Sequence, residues 1–186
     1  MNNAYRQQGF TLIELLVVVA IIAILASLSI PVVGRAIESA RRAQASTEVS
    51  ALATAVRAYY NEYSRFPHQA DNQGDYINSN AELLNVLRAI DGIGNPNHAN
   101  NRRRITFLEV AERSLDTDMA NPNFIDPWDN PYKVVVDIDF SGTVNARQFM
   151  QDQTAPQSYA EIRALVAVWS TGDDPNNHER YTTSWR

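Results

Sequence analysis

The chain reads as an α+β protein in which one long N-terminal helix, membrane-spanning in its first half, packs its second half against a small antiparallel β-sheet. Three observations carry that expectation. An apolar run from Phe10 to Pro31 passes directly into an amphipathic helical pattern that lasts to about Tyr63. Two later stretches, Tyr132 to Phe140 and Arg163 to Ser170, are rich in β-branched and aromatic residues and stop at turn residues. The 186 residues leave roughly 120 for a domain beyond the helix, a size that buries its own core without a second domain.

The elements follow in order. Residues 1–9 form a short polar leader with one basic residue, Arg6. Residues 10–31 are the apolar half of the helix. Leu15 to Ile30 carries no charge over 16 residues, and with Phe10 to Ile13 the run reaches the ~20 residues that cross a bilayer as a helix. Glu14 interrupts its start. A charge inside such a span costs about 2.5–3.5 kcal/mol on insertion scales, so the carboxylate needs a partner, or else a place at the headgroup boundary. A secretory signal peptide would share the polar start and apolar core, but its apolar stretch is shorter, its leader more basic and its start free of an acid. The positive-inside rule runs against a cytoplasmic leader, because Arg35, Arg41 and Arg42 lie beyond the run and only Arg6 before it.

Residues 32–65 continue the helix in amphipathic form. Val49, Leu52, Val56, Tyr59 and Tyr63 recur at steps of three and four, with Glu48, Arg57 and Glu62 between them. Together the two halves make a stalk of about 50 residues, about 75 Å at 1.5 Å per residue. Pro31 and Gly34 interrupt it near the membrane exit. Proline removes one helical hydrogen bond, and glycine costs about 1 kcal/mol relative to alanine. The pair marks either a tolerated kink or a stretch that unwinds. Residues 66–125 are rich in Asn and turn residues, with one helical pattern at Ala81 to Ile90 whose stripe is Leu83, Leu84, Leu87 and Ile90. Residues 126–186 hold the two strand-like runs and a C-terminal loop.

Composition removes several functions. Cysteine is absent, so no disulfide, thiol catalyst or Cys-ligated zinc is available. The net charge of −5 and the pI near 5.2 disfavour a nucleic-acid-binding surface. Mean hydropathy of −0.32, despite the apolar start, makes the remainder decidedly polar, as suits an exported domain. His68, His98 and His178 show no metal spacing, and the seven glycines build no nucleophile elbow, phosphate loop or dinucleotide fingerprint. The expectation is a protein that is not an enzyme. The triplet Arg102, Arg103 and Arg104 is the one basic cluster outside the stalk, read as a solvated loop in acidic surroundings or as a phosphate-backbone contact.

The N-terminus resembles the type IV prepilin segment shared by type IV pilins and the pseudopilins of type II secretion systems. The resemblance rests on Gly9-Phe10-Thr11-Leu12-Ile13-Glu14, on the leader MNNAYRQQG and on Pro31. It implies cleavage after Gly9 by prepilin peptidase, methylation of the new amino group of Phe10, and pairing of Glu14 with the amino terminus of a neighbouring subunit. Bringing opposite charges together between subunits offsets part of the cost that each meets alone in hydrocarbon.

A second resemblance, to major pseudopilins of type II secretion, lies in Asp126-Pro127-Trp128-Asp129-Asn130-Pro131-Tyr132, where Asp129 replaces their glycine. Those proteins bind calcium in a loop that Ser170, Gly172, Asp174 and Thr183-Ser184-Trp185 match in part. Asp173, Asp174 and Glu179 would supply side-chain oxygens here, as the six to eight hard ligands of calcium require. Pro175 in place of a glycine and the shorter loop depart from the pattern, and the alternative is an acidic surface turn.

These resemblances imply a structural filament subunit, leading to a type II secretion pseudopilin. Its expected partners are identical subunits, minor pseudopilins, prepilin peptidase, an inner-membrane assembly platform and the lipid bilayer. It would cross the inner membrane once with its domain in the periplasm, then leave for a filament. A surface type IV pilin for adhesion, motility or DNA uptake is the alternative.

Overall fold

The computed structural model describes residues 10–67, 76–78, 80–118 and 122–185, with the backbone alone at 28–32 and 76–78. Helix α1 is Leu12–Tyr63, 52 residues. The chain parts after Ala40 into two compact units. In the first, every described side chain from Phe10 to Ser27 is exposed, on all sides of the helix. An apolar surface all round a helix calls for lipid or protein around it. Among the described residues no helix is long and apolar enough to cross a membrane. The described side chains of the apolar run from Leu12 to Ser27 span about 24 Å at 1.5 Å per residue, short of a ~30 Å hydrocarbon core. The side chains at 28–32 that would complete the expected span of residues 10–31 fall outside the described set.

The second unit begins at Arg41. Ala45, Val49, Leu52, Val56 and Tyr59 are fully buried along one face of α1, as the three-and-four spacing predicts. Tyr63, expected to close that stripe, is only half-buried and packs on the edge of the core. Glu48 and Arg57, which interrupt the stripe, also turn toward the domain. Glu48 accepts hydrogen bonds from the Ser114 hydroxyl at 2.6 Å and the Tyr132 hydroxyl at 2.5 Å. Arg57 donates to the Val166 carbonyl at 3.0 Å. Burial, reinforced by Glu48, pushes the Tyr132 hydroxyl well above its ordinary pKa.

The sheet is an antiparallel meander of four strands, β1 Tyr76–Asn78, β2 Lys133–Val136, β3 Val166–Ser170 and β4 Thr182–Thr183. Its register sets Val134 against Val168 and Trp169 against both Lys133 and Thr183. Period-2 alternation divides the side chains between two cores. Val134, Val136, Val166 and Val168 share a core with Leu52, Val56 and Tyr59 of α1. Val135, Ala167 and Trp169 enter a second one with Val144, Met150, Tyr159 and Ile162. The excursion between β2 and β3 thus covers the outer face, and all five residues of β3 are buried.

Both strand-like runs are shorter than their composition predicts. β2 stops at Val136 because the buried Asp137 carboxylate draws the chain round, accepting from Ser141 N–H at 3.0 Å and Gly142 N–H at 2.8 Å. Phe140 and Gly142 take positive φ in that turn. Helix α2, Ala81–Leu87, is capped by Asn80, whose side chain accepts from Leu83 N–H at 3.2 Å. It ends before Ile90, which is 38% exposed rather than part of the stripe. Two buried asparagines order the loop that follows. Asn95 accepts from the N–H groups of Asn100 and Asn101 and donates to the Ile90 carbonyl. Asn101 joins Tyr63, Val86 and Ile105.

The turn from Asp126 to Tyr132 is built on one carboxylate. Asp126 accepts from Trp128 N–H and Asn130 N–H, both at 2.9 Å, and from the Ser170 hydroxyl at 2.6 Å. Burial pushes its carboxyl up against the lowering effect of those bonds. Asp129 has φ 66°, a left-handed conformation that costs an L-residue about 1–2 kcal/mol, less for Asp. Asp129→Gly should therefore raise unfolding free energy by about 0.5–1 kcal/mol in a denaturant titration of the full-length chain. A loss of stability would show that the aspartate side chain holds the turn.

Candidate functional site

The start of α1 satisfies its own backbone. The first N–H groups of a helix lack intrahelical partners, and Thr11 with Glu14 forms a reciprocal capping box. Glu14 Oε2 accepts from Thr11 N–H at 2.8 Å and from the Thr11 hydroxyl at 2.7 Å. Glu14 N–H returns a bond of 3.3 Å to the Thr11 Oγ1. The Thr-Leu-Ile-Glu spacing that signals this box is plain in the sequence, yet in apolar surroundings Glu14 reads first as an unpaired charge. Among the described residues only Oε2 is engaged. Glu14 Oε1 takes no hydrogen bond among the described residues and stays available to a donor from outside the chain.

Phe10 is 83% exposed beside it. Gly9, the expected cleavage position, lies outside the described residues. Farther along, the α1 backbone passes through Pro31 and Gly34 without leaving the helix. A Cβ placed on Gly34 would meet nothing within 4 Å, so the position leaves room for a neighbour at close range.

The C-terminal loop is the second predicted site. Asp173 is ion-paired with Arg180. Asp174 Oδ1 accepts from Asn176 N–H at 3.1 Å, and Glu179 is exposed. Asp173, Asp174 and Glu179 do not converge: among the described residues no group of three His, Cys, Asp or Glu side chains is placed to hold a metal ion. The expected calcium ligands do not fit the ion as a set.

The loop is fastened instead by Asp152, which no motif singles out. Its Oδ1 accepts from the Thr154 hydroxyl at 2.6 Å and Thr154 N–H at 2.7 Å. Its Oδ2 meets His178 N–H and Nδ1, both at 2.7 Å. The Thr154 hydroxyl and then the His178 amide hold this carboxyl well below the usual carboxylate range. The Asp-x-Thr spacing is the sequence signal for the Thr154 half, whereas His178 arrives from a distant part of the chain.

The basic triplet Arg102, Arg103 and Arg104 is exposed. Arg103 is ion-paired with Glu62 of α1. His98 and His178 share no site, and His68 lies outside the described residues.

Comparison with known proteins places these features. The prokaryotic N-terminal methylation motif matches residues 5–30. The chain is 30% identical over 128 residues to the type II secretion system core protein G of Pseudomonas aeruginosa, an alignment covering 69% of this chain and 72% of that protein. It is 41% identical over 69 residues to the type IV major pilin protein PilA of Myxococcus xanthus, covering 37% of this chain and 31% of the pilin. It is 38% identical over 66 residues to core protein G of Pectobacterium carotovorum, covering 36% of this chain and 42% of that protein. Against those last two relatives the chain therefore spans less than half of their length. No solved structure matches.

Proposed function

The chain belongs to the prepilin-like family that contains the type II secretion core protein G, and on that premise we propose that it is a structural subunit of a type IV pilus-like filament, specifically a type II secretion pseudopilin. The observation that carries the proposal is the start of α1, where an apolar surface exposed on every side from Phe10 to Ser27 holds one capped carboxylate, Glu14. Such a surface is stable only in lipid or among copies of itself.

In this reading, prepilin peptidase cuts after Gly9 and Phe10 becomes the methylated N-terminus. The subunit waits in the inner membrane, anchored through residues 10–31 with its domain in the periplasm. The assembly platform then moves it into a filament with identical subunits and minor pseudopilins. Glu14 meets the Phe10 amine of a neighbour, and the helix near Pro31 and Gly34 adapts to the packed bundle. Contacts of this head-to-tail kind do not close, so they propagate a fibre. The work done is mechanical: a growing periplasmic filament drives folded proteins outward. No step requires catalysis by the subunit.

Deleting the gene decides between this reading and the surface-pilus reading, which the 41% identity to a type IV major pilin favours. The expected result is loss of exported proteins from the medium with surface pili intact. Loss of pili with export intact would establish the alternative. A role in binding DNA has only Arg102, Arg103 and Arg104 behind it, one of them held by Glu62, in a chain of net charge −5.

A further inference from the structure

The loop from Ser170 to Trp185 carries its own cation. We propose that the Arg180 guanidinium, seated on Asp173, closes this loop in place of a bound calcium ion, so that the domain folds and functions without the metal. Calcium takes six to eight oxygen ligands, and five carbonyls of this loop, with one oxygen each of Asp173 and Asp174, are already committed to protein donors. The Gly172 carbonyl accepts from the Asn130 side-chain amide at 2.8 Å. The carbonyls of Asp174, Asn177 and His178 accept from the N–H groups of Asn177, Arg180 and Tyr181 at 3.1, 3.0 and 3.2 Å. The Pro175 carbonyl takes the Tyr181 hydroxyl. Asp174 receives Asn176 N–H, and Asp152, the buried carboxylate that fastens the loop, receives Thr154 and His178.

The backbone has closed as tightly as these bonds suggest. Gly172 has φ 65°, and a Cβ built there would lie 2.7 Å from the Arg180 carbonyl oxygen. The two arms of the loop therefore touch at the residues that form or adjoin the ion pair, Asp173 and Arg180. A guanidinium is charged at every pH the protein meets and presents its donors in a fixed fork. It supplies a permanent positive charge where a metal-dependent loop would have to capture one.

Hydrogen exchange read by mass spectrometry on the peptide from Thr171 to Tyr181 tests this on the full-length chain in detergent micelles. The readout is local and needs no filament, so its failure would leave the filament proposal standing. Exchange of the wild-type loop should be the same, within about twofold, in millimolar calcium chloride and in EGTA. Arg180→Met should exchange about three- to fivefold faster in both, the loss expected for one partly exposed ion pair, and Arg180→Lys should restore most of the protection. Calcium slowing the wild-type loop about tenfold or more would overturn the proposal, as would wild-type exchange in Arg180→Met. If Arg180→Met does not fold, the wild-type comparison with and without calcium decides alone.

Discussion

Glu14→Val is expected to abolish filament assembly while leaving the chain in the membrane fraction. Two consequences of the substitution act in opposite directions. Removing the carboxylate relieves an insertion cost of about 2.5–3.5 kcal/mol, so anchoring should be unharmed. In the filament the same change leaves a neighbour's Phe10 amine unpaired among apolar helices, and breaking a buried pair by removing one partner costs about 3–5 kcal/mol. That corresponds to a decrease of at least about a hundredfold at each such contact. Glu14 also caps its own helix through Thr11, so the variant loses about 1 kcal/mol of local helix stability as well. Thr11→Val separates the two roles. It removes the two bonds of the Thr11 hydroxyl but keeps the carboxylate and its bond from the residue-11 N–H, and should reduce assembly without abolishing it. Sedimented filaments set against total membrane-bound subunit give the measurement, and normal filament yield from Glu14→Val would contradict the pairing.

Trp169→Ala should be the most damaging single change in the domain, at about 3–5 kcal/mol. Trp169 is fully buried on β3, on the face turned away from α1. Its ring lies 6.0 Å from that of Trp185, which in turn lies 5.5 Å from Tyr159. The tryptophan therefore joins the sheet, the C-terminal tail and the excursion between β2 and β3, and the hole it leaves cannot be filled by one neighbour. Domains have about 5–15 kcal/mol in total, so this is a large share. A chemical denaturation midpoint for the full-length variant in detergent checks it. A loss below about 1 kcal/mol would show that the second core contributes little to stability.

The sequence makes some of this legible and hides the rest for physical reasons. The buried stripe of α1 is visible because helical packing repeats at steps of three and four, and Val49, Leu52, Val56 and Tyr59 obey it. The positions of β2 and β3 are visible in their valines, but their ends are not. Asp137 stops β2 by capturing backbone N–H groups within its own turn, an act of one side chain that composition does not record. Within residues 66–125 the stripe of α2 is visible in Leu83, Leu84 and Leu87, but the loop after it is opaque because two buried asparagines, Asn95 and Asn101, order it rather than a periodic apolar stripe. β1 is hidden for a related reason, since three residues are too few to show alternation. The C-terminal loop resembles a ligand set because its acids stand close together in sequence. Arg180 stands in plain view seven residues from Asp173, but loop closure, not helical or strand periodicity, brings the two together.

Polymerisation of this chain through a processed N-terminus can be read from purified filaments. Filaments sheared or extracted from cells expressing the native protein can be imaged by electron microscopy and their subunit read by intact-mass and N-terminal peptide spectrometry. The fibres should be built from chains that begin at N-methylated Phe10 and retain Glu14 unmodified. Chains found only outside fibres and still carrying residues 1–9 would contradict it.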